Sequence, residues 1–90
     1  MYLHVGQDTV VNTADIIGIF DMENTTVSKH TRRFLADAER AGNIVTVSPE
    51  LPKSFVVTAE KGGGKTVYIS QLSTATLLRR KKQDGNSHER

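Results

Sequence analysis

The chain contains no cysteine and no tryptophan in its 90 residues. The first absence excludes a disulfide framework and thiolate metal sites, and it fits a reducing compartment. Aromatic residues number five (Tyr2, Phe20, Phe34, Phe55 and Tyr68). They are too scattered to interleave with basic residues as a stacking platform for single-stranded nucleic acid. No run approaches the roughly 20 apolar residues of a membrane helix. The start, Met1-Tyr2-Leu3-His4-Val5-Gly6, lacks the basic and apolar stretches of a signal peptide. The expectation is a cytoplasmic protein without a membrane partner. Apolar residues make up only 37% of the chain, and a domain this short has a poor surface-to-volume ratio, so self-association is expected to supplement its core.

Charge is unevenly placed. Residues 1–78 carry seven Lys or Arg against eight Asp or Glu, a net −1, whereas residues 79–90 carry five against two, a net +3. The excess therefore lies in Arg79-Arg80-Lys81-Lys82 and the segment after it. Such a run attracts phosphate backbones, although it also serves as a solvated terminus or complements a helix dipole.

The patterning predicts an α+β fold: a small antiparallel or mixed sheet, one amphipathic helix and a short C-terminal helix. Leu3–Val5 and Thr9–Val11 read as strands around a Gly6-Gln7-Asp8 turn, and Asn12–Asp15 as a bend. Ile16–Phe20 is almost wholly apolar and β-branched, which predicts a buried strand. Thr25 or Thr26 is placed to cap a helix running to about Ala41, with Val27, Thr31, Phe34, Leu35, Ala38 and Ala41 on its apolar face. Gly42 suits the left-handed position that ends it.

Ile44–Val47 reads as a further strand. Pro49 and Pro52 make the following stretch a loop. Ser54–Ala59 and Thr66–Ser70 read as a hairpin; a turn centred on Gly63 places Val57 opposite Ile69 and Ala59 opposite Val67. Ser73 caps the last helix, Thr74 to about Lys82, with Leu72 and Leu77 placed for a hydrophobic staple. The domain is expected to span residues 1–82, and residues 83–90 to form a polar, disordered tail.

No constellation points to catalysis. Gly62-Gly63-Gly64-Lys65-Thr66 resembles a phosphate-binding loop, but that motif requires a glycine at position 59, where Ala59 stands. It must also open a helix, and Thr66-Val67-Tyr68-Ile69 opens a strand. His4, His30 and His88 have no ligand spacing and no accompanying carboxylate cluster. No Gly-x-Ser-x-Gly elbow occurs. No catalytic, cofactor or metal residue is assigned, and a non-enzyme is expected.

Several separated blocks do carry a resemblance. They are Met-Tyr-Leu-His-Val-Gly at the start, residues 10–21, Pro-Lys-Ser-Phe-Val-Val-Thr at 52–58 and Val-Tyr-Ile-Ser-Gln-Leu-Ser-Thr-Ala-Thr-Leu at 67–77. In this order they resemble RemB-like members of the RemA/RemB family of bacterial extracellular-matrix (biofilm) regulators, over roughly residues 1–80. The resemblance implies a cytoplasmic, non-enzymatic transcription regulator that forms homo-oligomeric rings and binds double-stranded DNA. Repetition of subunits would let weak phosphate contacts sum.

In RemA-like sequences arginines important for DNA contact lie before the second long strand and in the loop preceding the hairpin. Here those places hold Asp15 and Leu51-Pro52-Lys53. The cations left as candidate DNA contacts are Arg32, Arg33, Lys53, Arg79, Arg80, Lys81 and Lys82. The alternative is an oligomeric protein-interaction scaffold without DNA binding, which Asp15 and Pro52 favour.

Overall fold

A computed structural model of the chain describes residues 1–22 and 28–88, the last six as backbone alone. Its elements run β1 (Tyr2–Gly6), β2 (Thr9–Asn12), a 3-10 turn (Thr13–Asp15), β3 (Ile16–Asp21), α1 (Lys29–Arg40), β4 (Ile44–Thr46), β5 (Ser54–Ala59), β6 (Lys65–Ser70) and α2 (Thr74–His88). The α+β expectation holds. β1 and β2 form a separate antiparallel hairpin, and the other four strands form a mixed sheet in the order β3-β5-β6-β4. β4 runs parallel to β6, while β5 is antiparallel to both its neighbours.

The sheet has two covered faces. Side chains alternate along β5, so Val56 points one way and Phe55 and Val57 the other. Val56 packs with Leu3, Val5 and Val11 of the hairpin, Val47, and Leu77 of α2. Phe55 and Val57 pack with Val67, Ile44 and Ile69 and with Leu35 and Ala38 of α1. The hairpin and α2 thus lie on one face and α1 on the other. β5, flanked on both edges and covered on both faces, is buried from Ser54 to Thr58.

Helix ends follow from local chemistry. Ser28 caps α1, its Oγ accepting from the Thr31 N–H; Thr25, Thr26 and Val27 lie outside the described residues. At the other end Gly42 takes φ +76°. The Gly42 N–H donates to the Glu39 carbonyl at 3.1 Å and the Asn43 N–H to the Ala38 carbonyl at 2.9 Å. This pair of bonds is the Schellman closure that a C′ glycine allows. Ser73 caps α2 as expected, accepting from the Thr76 N–H at 3.1 Å. Leu72 and Leu77 meet in one cluster, as staple positions should.

Three expectations are corrected. β3 is an edge strand, and Ile17 and Phe20 are substantially exposed. Its apolar run signals two covered faces, but α1 leaves the β3 end of the sheet open, and a register shift between Ile16 and Gly18 turns Ile17 outward. The β5–β6 register pairs Val57 with Val67 and Ala59 with Lys65, two residues from the expected pairing. The turn closes around Gly62, with the Gly63 N–H on the Glu60 carbonyl at 3.2 Å and the Glu60 N–H on the Gly64 carbonyl at 2.8 Å. Gly62 adopts φ +99° at the third turn position, where a type II turn needs it. A shift of two keeps every side chain on its expected face. Finally, α2 continues to His88. Gln83 and Asp84 carry no stop signal, and one glycine at position 85 costs a helix only about 1 kcal/mol.

Two substitutions test this packing. Ser70 is fully buried; its Oγ donates to the Val5 carbonyl at 2.7 Å and accepts from the Leu72 N–H at 3.0 Å. Ser70→Ala removes both bonds and is expected to cost about 2 kcal/mol in urea denaturation. Gly6 has φ +134°, and a Cβ there would stand 2.6 Å from Gln71 Oε1 and 3.0 Å from Val47 Cγ1. Gly6→Ala should therefore cost about 2 kcal/mol or more. Gly62→Ala, whose Cβ meets nothing within 4 Å, should cost only its backbone strain, roughly 1 kcal/mol.

Candidate nucleic-acid interface

The seven candidate cations do not share a surface. Arg32 and Arg33 are exposed on α1, and Arg79 to Lys82 lie on α2, across the sheet. Lys53 stands at the entry to β5, its N–H on the Ser70 carbonyl at 2.9 Å and its carbonyl accepting from the Met22 N–H at 2.9 Å. Its backbone is thus fixed between two strands while the residue stays exposed. The structure keeps Arg32 with Arg33 on one side of the sheet and the four cations of α2 on the other.

Their distribution follows from helix geometry. Consecutive residues advance by about 100°, so four adjacent cations surround the helix. Leu77, fully buried, sets the inward direction. Arg80 and Lys81 flank that direction, and Arg79 and Lys82 point outward, about 60° apart. Arg80 is half-buried and donates to the His4 carbonyl at 3.3 Å, which fastens α2 to β1. Lys81 and Lys82 line a shallow groove with Met1, Thr13 and Leu78. Arg79, Lys81 and Lys82 are exposed. On α2 these three are the cations exposed to an anionic partner, Arg79 also donating to Thr76 Oγ1 at 3.5 Å. They lie within a helix that continues to His88, not in a closing turn, so dipole complementation does not account for their position.

The two places where RemA-like sequences carry arginines have a different character. Asp15 closes the 3-10 turn ahead of β3. Near it, Glu60 Oε1 accepts from Thr66 Oγ1 at 2.8 Å and Thr58 Oγ1 at 3.3 Å. Burial, then the negative charges of Glu60 and Asp15, hold the Tyr68 hydroxyl above its ordinary pKa. Two carboxylates thus act on one tyrosine where RemA-like sequences carry an arginine. Leu51 and Pro52 are exposed ahead of β5.

Histidines remain apart. His4 bonds the Gln7 carbonyl within its own turn, and His30 lines an apolar groove beside α1. Among the described residues no group of three or more His, Asp or Glu is placed to hold a metal ion. None of their helices is long and apolar enough to cross a membrane. That apolar groove, built from Ile17, Phe20, His30, Thr31, Phe34, Phe55 and Val57, was not anticipated. Its strand residues read as core, and no sequence signal distinguishes an apolar edge strand from an apolar central one.

Comparison with known proteins is consistent across almost the whole chain. The family model described as "Extracellular matrix regulatory protein A-like" (RemA-like) matches residues 2–80. Extracellular matrix regulatory protein B of Bacillus subtilis (strain 168) is 39% identical over 80 residues, 89% of each chain. Both matches reach into α2, and the family match ends at Arg80, ahead of Lys81 and Lys82.

The Tyr68 environment has a measurable consequence. Because the folded state raises this phenol's pKa above 10.0, the unfolded chain releases the proton first. Folding stability from this group is present below about pH 10 and declines as pH rises beyond it. Urea midpoints compared at about pH 8 and about pH 10.5 should fall more in the parent protein than in Tyr68→Phe.

Proposed function

The chain belongs to the RemA-like family, and on that footing we propose that it is a non-enzymatic regulator of extracellular-matrix (biofilm) gene expression. In this reading it works in the cytoplasm as a homo-oligomeric ring and binds duplex DNA through α2. The observation that carries the DNA part is the exposure of Arg79, Lys81 and Lys82 on a helix anchored by Leu77 and by the Arg80 bond to His4. An anchored helix presents its cations at fixed spacing, which limits the entropy lost when they meet phosphates. The body's net charge of −1 leaves this helix as the attractive element for DNA.

Ring formation makes the modest charge sufficient. A copy that neutralises about two phosphates contributes a slope of about −2 in log affinity against log salt, and repeated copies on one duplex add their slopes. The second reading, an oligomeric scaffold that acts through protein contacts alone, is favoured by one observation. Asp15 stands where RemA-like sequences carry an arginine, and it acts with Glu60 on Tyr68.

Electrophoretic shifts with duplex DNA at about 50 and about 200 mM salt separate the two. Binding is expected at the lower salt, weakened by more than about tenfold at the higher. Arg79→Ala combined with Lys82→Ala should weaken it on a similar scale, and Arg32→Ala, across the sheet, should change it little. Absence of binding by the parent protein at low salt removes the DNA-binding reading and leaves the scaffold.

A further inference from the structure

Between β3 and α1 lies an apolar groove of about 300 Å³. Phe55 and Val57 of β5 form its floor, and Ile17 and Phe20 of the edge strand and Phe34 of the helix form its walls. Phe20 stacks on Phe55 with ring centroids 5.0 Å apart. The ring reaches that position because residue 18 is glycine: a Cβ there would stand 2.4 Å from the Phe20 ring. Ile17, Phe20 and Phe34 stay 59%, 40% and 37% exposed, so the walls hold apolar surface that a ligand would withdraw from water.

The polar side chains at the groove both come from α1, His30 and Thr31. Arg33 lies about 60° around the helix from His30 and about 100° from Phe34, so it flanks the same side. It is exposed and has no ion-pair partner among the described residues, whereas Asp37 is paired with Arg40. The first turn of α1 holds no acid. Between Met22 and Ala36 the sequence sets Lys29, Arg32 and Arg33 against Glu23 alone. Cations in a first turn oppose the helix dipole, so Lys29 and Arg32 suit an anion better than they suit the helix.

Size narrows the occupant. At about 30 Å³ for each water-sized group, the groove holds roughly ten non-hydrogen atoms. That is the small end of ligand pockets, where an apolar body supplies affinity and a few polar groups fix orientation.

We infer that the groove binds a small apolar acid, a carboxylate carried on a hydrocarbon or aromatic body of roughly ten non-hydrogen atoms. The body lies over Phe55 and Val57 between Phe20 and Phe34. The carboxylate meets the Arg33 guanidinium, whose planar fork matches it bidentately, with the His30 ring beside it. The inference is independent of the DNA-binding and oligomeric parts of the proposed function. It adds a small-molecule site on the sheet face opposite α2.

Isothermal titration calorimetry on the full chain tests this with octanoate and its uncharged counterpart, octanol. Saturable binding of one octanoate per chain is expected, with a Kd of about 0.1 mM or tighter. Octanol should bind about tenfold more weakly, the scale of losing hydrogen bonds to a charged group. Arg33→Ala should weaken octanoate by about tenfold and leave octanol unchanged, so that the two ligands become equal. Arg32→Ala removes the same charge from the other flank of α1 and should change neither. Phe34→Ala should weaken both ligands by about tenfold, and Gly18→Ala, which displaces the Phe20 ring, should do likewise. Circular dichroism checks the fold of these two variants, and Arg33→Ala, at an exposed side chain, keeps the test decisive if either unfolds. Absence of octanoate binding at about 1 mM overturns the inference. Equal affinity of the parent for octanol overturns it too, as does octanoate binding that Arg33→Ala leaves intact.

Discussion

Ser54 and Ser70 face one another across β5 and β6, both without solvent exposure. A buried hydroxyl without a partner costs about 1–3 kcal/mol, so each must find one, and their partners define the architecture. Ser70 bonds the Val5 carbonyl at the end of β1 and the Leu72 N–H at the exit of β6. Ser54 donates to the Leu72 carbonyl at 2.7 Å. Two side chains thereby tie the N-terminal hairpin, the central sheet and the approach to α2 into one junction. Leu72 is held by both its backbone groups, and Ser73, which caps α2, follows directly. The direction of α2, and so the placement of its cations, descends from this pair of serines.

Much of the architecture was legible because local signals agreed with one another. Ser73, Leu72 and Leu77 specified the start of α2, and Gly42 the end of α1, through backbone chemistry that acts over four or five residues. Strand positions followed from alternation for the same reason. What failed was information carried by non-local neighbours. Whether Ile16–Phe20 sits at the centre or edge of a sheet depends on where α1 deposits β4, and the chain answers by placing β4 on the far side, beside β6. The hairpin register failed differently. Three adjacent glycines allow more than one turn, and the backbone bonds of Glu60 with Gly63 and Gly64 choose between them.

The candidate site was legible as a list of cations but not as a surface. Sequence proximity grouped Arg32 with Arg33 and Arg79 with Lys82, and both groupings are real. The sheet stands between them, however, because alternate residues of β5 bury the two helices on opposite faces. Resemblance located the places where a relative's arginines would stand. The structure adds that at one of them Asp15 stands near enough to Tyr68 to act on its hydroxyl together with Glu60, so an arginine's place is taken by one of two carboxylates.

These features bear on how such a protein could act at all. Of the four cations on α2, one is engaged with the hairpin through His4, and of the others Arg79 and Lys82 lie about 60° apart while Lys81 diverges from both by about 100° or more. Few of them can meet one phosphate backbone at once, and isolated contacts of that kind are erased by physiological salt. A monomer would therefore bind duplex DNA too weakly to discriminate regulatory sites from bulk. Repetition is the remedy physical chemistry offers, since contacts on linked copies add in free energy. Ile17 and Phe20 leave apolar surface exposed at the edge strand. In the proposed DNA-binding reading, then, charge and self-association are coupled requirements: the weaker the charge on each copy, the more binding would depend on joining copies together.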